Sequence, residues 1–181
     1  MPNPVFFFGP EMVTSKHSFP VMKSTLVNEQ AMDALERCLV ALQGEAVALI
    51  DTHWQKVMEG EKKAESWEDK SRLQVSCYRQ GNHLQIKWIG IKWYGGKGAR
   101  KSAKVSIPRS AGDLTYSPVK LKEWARPWEI ELVENTEAQL ASIRKRAYHI
   151  VRAIMAVRNA DRIEKKLSPL TEESVPELVE E

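Results

Sequence analysis

From Asn28 to Met58 apolar side chains recur three and four residues apart, at Leu35, Leu39, Leu42, Ala46, Leu49 and Val57, with His53 in the same series. That spacing lays one continuous stripe along a long helix. Asn28 suits its N-cap, and Glu29, Asp33 and Glu36 suit the positive end of its dipole. Gly44 in the middle costs about 1 kcal/mol relative to alanine, so it is expected to mark a close helix contact or a slight bend. Glu59 to Lys70 is dense in mixed charge and reads as a solvated connector or a frayed helical end.

The period then changes from 3.6 to 2. Leu73, Val75 and Cys77 alternate with Arg72, Gln74, Ser76 and Tyr78, as in a half-buried strand. Gly81-Asn82 is a two-residue hairpin signal, and it pairs Cys77 with Ile86 and Val75 with Trp88 on the core face. On the other face it sets Ser76 opposite Lys87 and Tyr78 opposite Gln85. After Trp88 the apolar phase slips, and Gly90 beside the slip predicts a β-bulge. With that bulge Leu84, Ile86, Ile91 and Trp93 stay on the core face, while Lys87, Lys92 and Tyr94 face out. A third strand, Ala103 to Ile107, buries Ala103, Val105 and Ile107 and exposes Lys104.

Ser117-Pro118 opens a short helix toward Trp124. A second long helix, starting at Pro127 or Glu134 and reaching Lys166, carries Leu132, Thr136, Leu140, Ile143, Ala147, Ile150, Val151, Ile154 and Val157 on one face. Its early acids (Glu129, Glu131, Glu134, Glu137) and later bases (Arg144, Lys145, Arg146, Arg152, Arg158, Arg162) complement the helix dipole. The expected fold is α+β: a small twisted antiparallel sheet of about three strands packed on two long helices, in α-β-β-β-α order. Its expected limits are a domain at 25–167, preceded by an extended or disordered proline-rich arm at 1–24 and followed by an acidic tail at 168–181.

Charge changes this picture. The formal net charge is +3, but 168–181 holds five Glu and no base, leaving 27 bases and 19 acids, a net +8, in the rest. Between Lys70 and Gly112 stand ten Lys or Arg and not one Asp or Glu, where about five or six acids would fall by chance. Four aromatics, Tyr78, Trp88, Trp93 and Tyr94, sit among them. Such a segment is expected to meet a polyanion, since bases that neutralise phosphates release condensed counterions. The predicted polar face holds Arg72, Tyr78, Lys87, Lys92, Tyr94 and Lys104, and the glycine-rich connection after it adds Lys97, Arg100 and Lys101. These nine residues are the candidate nucleic-acid contacts, with the two tyrosines as stacking platforms.

No catalytic signature accompanies them. The Gly90 to Lys97 segment lacks Walker spacing and lies between strands, without the helix N-terminus that a phosphate loop needs. His17, His53, His83 and His149 are isolated; His53 and His149 lie on or beside helical apolar faces and read as core histidines. Trp54, Trp88, Trp93, Trp124 and Trp128 read as core or interface. Cys38 and Cys77 sit in apolar patterns and read as buried thiols of a reducing cytoplasm. The expectation is a soluble, cytoplasmic, non-enzymatic protein with no metal or other cofactor and no membrane segment.

In its Leu84-Gln85-Ile86-Lys87-Trp88 strand, its Gly95-Gly96-Lys97 loop and its Leu140-Ala141-Ser142-Ile143-Arg144 helix, the chain resembles the MobI-like auxiliary mobilisation proteins of conjugative plasmids and integrative elements. The resemblance covers roughly residues 30 to 160. It implies an accessory factor of conjugative DNA transfer that acts on DNA of the origin-of-transfer region, or on a relaxase or other transfer protein. It supplies no active site. The alternative is a protein interaction or homodimerisation module of a transfer complex, with no direct DNA contact.

Overall fold

The computed structural model describes residues 24–172 except 97, 98, 111 and 113. The arm and most of the tail, and Lys97 among the candidate contacts, lie outside the described residues. The elements are α1 (Ser24–Glu61), β1 (Leu73–Gln80), β2 (His83–Tyr94), β3 (Lys101–Ser106), α2 (Pro118–Lys122) and α3 (Ile130–Glu172), with single 3₁₀ turns at Trp67–Asp69 and Pro127–Glu129. This is the expected α+β order. The three strands form one antiparallel sheet, β1-β2-β3.

The long helices are antiparallel and keep a nearly constant register. Asn28 Nδ2 donates to Asp161 at 2.5 Å, Arg146 pairs with Glu45 at 2.6 Å, and the His53 ring meets the Thr136 hydroxyl at 3.0 Å. Their stripes meet in a core of Leu39, Leu42, Ala46, Ile50, Leu140, Ile143, Ala147 and Ile154, all buried. At about 25 cal/mol per Å² of apolar area removed from water, burial of this shared face stabilises the fold, and the same core cluster takes in Leu73, Val75, Ile86 and Trp88 of the sheet.

Several local expectations change at the helices. α1 begins at Ser24, so Asn28 lies inside the helix and bonds across to α3, and the first turn holds no acid. Gly44 is exposed, with open space where a Cβ would go, and marks no close contact. Cys38 is exposed because it stands one residue off the stripe that buries Leu39. His149 is likewise on the exposed face of α3, whereas His53 is buried. The charged connector is exposed but ordered by specific bonds: the Ser71 amide donates to Glu61 Oε1 at 3.0 Å, and the Trp128 indole N–H donates to the Asp69 carbonyl at 2.9 Å.

In the sheet, β1 and β2 pair as the hairpin signal requires, with Cys77 opposite Ile86, Val75 opposite Trp88, Ser76 opposite Lys87 and Tyr78 opposite Gln85. Gly81 takes a φ of 57° and Asn82 does not go positive, the pattern of a turn with glycine at its first central position. The predicted bulge is absent. Both ladders of β2 run without an extra residue, from Leu73 opposite Gly90 and Ile89 opposite Ser106 to Tyr94 opposite Lys101. Gly90 is instead the floor on which Trp124 lies: a Cβ there would come 2.4 Å from the indole ring. The phase slip has a different cause from the one expected. An aromatic ring from outside the strand supplies the apolar group that residue 90 lacks.

Candidate nucleic-acid interface

Without a bulge, strand parity redistributes β2. Directly opposed residues share a face, so Leu73, Val75, Cys77, Ile86, Trp88, Val105 and Ala103 form the side that meets the helices. Trp88 is fully buried there. The opposite, outer face carries Gln74, Ser76, Tyr78, Gln85, Lys87, Ile89, Ile91, Trp93, Ser102, Lys104 and Ser106. Arg72 joins it, for its carbonyl accepts the Ile91 amide at 2.7 Å and continues the ladder.

Four of the candidate contacts are therefore on the outer face: Arg72, Tyr78, Lys87 and Lys104. Lys92 and Tyr94 are corrected to the other parity, where they stand opposite Ala103 and Lys101. All three, Lys92, Tyr94 and Lys101, are exposed, because β2 and β3 run past the helical layer at this end. Ile91 and Trp93 move the other way. Ile91 is buried but stands outside the main core cluster, and Trp93 is 47% exposed, so it is no core tryptophan. Trp128 is also exposed at 40%, while Trp54 and Trp124 are half-buried against the core.

Three of the candidate contacts, Lys87, Tyr78 and Arg100, are held in specific pairings. Lys87 Nζ donates to the Tyr78 hydroxyl at 2.8 Å and lies 5.3 Å from the ring centroid, so the two form one cationic-aromatic unit on the open face. Arg100, in the β2–β3 connection, stacks its guanidinium 3.7 Å from the centroid of Trp67. That connection is shaped by Gly95, whose φ of 98° suits glycine and where a Cβ would stand 2.5 Å from the Ala99 carbonyl oxygen.

Behind the sheet lies a buried polar cluster whose internal pairing the charge gradient along the sequence does not announce. Glu137 accepts from the Trp88 indole N–H at 2.7 Å, from the Tyr116 amide at 2.8 Å and from the Arg144 guanidinium. Arg144 also donates to the Leu114 carbonyl at 2.6 Å. Glu137 and Arg144 are both buried, so their pairing fixes the sheet to α3 and anchors the loop before α2. Next to it, the Thr136 hydroxyl donates to the Leu132 carbonyl at 2.8 Å, so His53 Nδ1 must carry the proton of the His53–Thr136 bond. The His53 ring stands edge-on to Trp88, centroids 5.3 Å apart. Burial, with Lys56 nearby, lowers its pKa to about 4, and the imidazole is neutral. Glu129 is fully buried too; desolvation pushes its carboxyl up, against the Arg126 amide that donates to it at 2.8 Å. These groups hold the scaffold behind the sheet.

A profile of the family described as MobI protein matches residues 42–158, which spans the second half of α1, the whole sheet and most of α3. The chain belongs to the MobI family. No curated protein and no solved structure is similar enough to the chain to mark a further relative. Membership of MobI makes the chain a mobilisation protein, and the matched span contains every described candidate contact. Among the described residues, no helix is long and apolar enough to cross a membrane.

Proposed function

We propose that this MobI protein is a non-enzymatic accessory factor of conjugative transfer that binds DNA of the origin-of-transfer region beside a relaxase. The observation that carries this reading is the distribution of charge on the sheet. No acid occurs on any of its strands, both long helices pack on one side of it, and the other side presents Tyr78 and Lys104 exposed, with Arg72 and Lys87 half-buried on the same face. Arg100, Lys101 and Lys92 extend the basic surface along the overhanging end. Phosphate contacts of this kind position a protein on DNA, and groove or base contacts add any sequence preference.

The test is binding of the full chain to origin-region DNA and to unrelated DNA across a salt series. Neutralising about five phosphates gives a log–log salt slope of about −4 to −5. An affinity that is the same at low and moderate salt would remove this mechanism. A second reading, as a pairing module for another copy or a transfer protein, is favoured by Val40 and Val47, both exposed and two turns apart on α1. Light scattering of a Val40→Ser, Val47→Ser variant separates the two: changed assembly with intact DNA binding favours the module as an additional role.

A further inference from the structure

At the overhanging end of the sheet, two adjoining cavities of about 600 and 400 Å³ share the walls Trp67, Arg72, Trp93 and Arg126. Both indoles are exposed, at 43% and 47%. The smaller cavity is also lined by Lys70 and Arg100, and the one carboxylate on it, Glu61, is engaged by the Ser71 amide. The larger one includes Glu68 and Glu123, so it is nearer to charge balance. Arg126 uses its Nε on the Lys70 carbonyl at 3.0 Å, and Arg72 has a buried Nε with no partner among the described residues.

We infer that this cleft takes one nucleotide of single-stranded DNA, its phosphate among Arg72, Arg100 and Arg126 and its base against Trp93 and Trp67. Two physical points lead there. Flat indoles left in solvent beside guanidinium groups are a stacking platform, and base stacking on them needs an unpaired base, since a duplex keeps its π-faces covered. The volume accommodates a base with its sugar, whereas an intact duplex meets only the rim. The Arg100 guanidinium now stacked on Trp67 is a place-holder: it occupies a π-face that a base can take, and it is then free to meet a phosphate. Charge sorts the two halves, with the strongly basic smaller cavity for phosphate and the larger, balanced one for the base.

This inference rests on the DNA-binding reading and names its substrate class, so its test has arms for each. The full chain is titrated with a fluorescein-labelled single-stranded thymidine oligonucleotide, with the same backbone made abasic, and with a duplex. Tight binding of the base-bearing strand is expected, with quenching of tryptophan fluorescence and a loss of about five- to hundred-fold in affinity for the abasic strand. Trp93→Leu, a surface change that leaves the core intact, is expected to weaken the base-bearing strand by a similar factor and the duplex hardly at all. Arg72→Gln should lower the salt slope for single strands by about 1. Equal binding of base-bearing and abasic strands, or no effect of Trp93→Leu, overturns the nucleotide cleft. If the duplex binds with a steep salt slope while single strands do not, only this inference fails; if no nucleic acid binds at low salt, the DNA reading fails with it.

Discussion

Trp124 lies on Gly90 so closely that a Cβ at that glycine would sit 2.4 Å from the indole, whose atoms are its nearest neighbours. The contact joins the segment after α2 to the middle of β2, and it also builds a wall of the larger cavity at the end of the sheet. Gly90→Ala must therefore move an aromatic ring or a strand. Forcing an extra group into a filled site costs about 1–3 kcal/mol, and Gly90→Val should lie at the upper end. Urea unfolding gives the stability change, and a Trp124→Ala background, which vacates the site, should remove most of the penalty.

Gly44 is the opposite case. It stands in the middle of α1, exposed, with nothing within 4 Å of the place a Cβ would take. Gly44→Ala is expected to stabilise the protein by about 0.5–1 kcal/mol, from the smaller loss of backbone freedom on folding. A higher urea midpoint with an unchanged slope checks this.

The buried pair of Glu137 and Arg144 should behave asymmetrically. Glu137→Leu removes the acceptor of Trp88, Tyr116 and Arg144 together and leaves a guanidinium buried with no counter-charge. The expected loss is about 3–5 kcal/mol. Replacing both partners, as Glu137→Leu with Arg144→Met, should recover part of that loss, and a double-mutant cycle in urea measures the coupling.

His53 makes stability depend on pH in a defined window. Its pKa falls from 6.5 to about 4 on folding, so between these values the unfolded chain binds a proton that the folded chain refuses. Its contribution is whole above about pH 6.5 and is lost as pH falls toward 4. The loss is about 3 kcal/mol at most, since each tenfold change in proton affinity is worth about 1.4 kcal/mol. Glu129, with its carboxyl pushed up, acts in the opposite direction on acidification. The difference in unfolding free energy between the wild type and His53→Gln, followed from pH 7 to 4.5, isolates the histidine. An imidazole that titrates near 6.5 by NMR would contradict the buried, neutral assignment.

Much of this architecture is legible in the chain because periodicity and turn chemistry agree. The stripe through Leu39, Leu42 and Ala46 places α1, and Gly81-Asn82 sets the β1–β2 register down to the individual pairs. Gly90 misleads because a missing side chain on a core face has two remedies, a bulge or a ring from elsewhere, and only the tertiary contact with Trp124 decides between them. That single choice carries Lys92 and Tyr94 to the wrong face and hides Trp93 in the core. The Glu137–Arg144 pair is, by contrast, visible in principle. Val133, Glu137, Leu140, Arg144, Ala147, Val151 and Ile154 keep an unbroken four-three spacing, so two opposite charges stand inside the buried stripe. A dipole gradient accounts for their signs but not for that placement. The cleft between Trp67 and Trp93 is not legible, because its walls come from a 3₁₀ turn and a strand end whose meeting no local pattern records.

The outer face yields the last prediction. Lys87 is held against Tyr78 by a hydrogen bond and by the ring, so its charge is fixed in place on an open, acid-free surface. Lys104 is exposed on the same face. Each of Lys87→Gln and Lys104→Gln should lower the magnitude of the salt slope for DNA by about 1 and weaken binding evenly across sequences, because a phosphate contact carries no base information. Lys122 is a suitable control, since it pairs with Glu134 at 2.8 Å and its charge is already offset; Lys122→Gln should leave the slope unchanged. Lys104 and Lys122 are exposed and Lys87 is half-buried against the exposed Tyr78, so the thermal midpoints of all three variants should stay close to that of the parent. A slope that falls equally for Lys122→Gln would mean that DNA responds to net charge alone, with no preference for the face that Lys87 and Lys104 share.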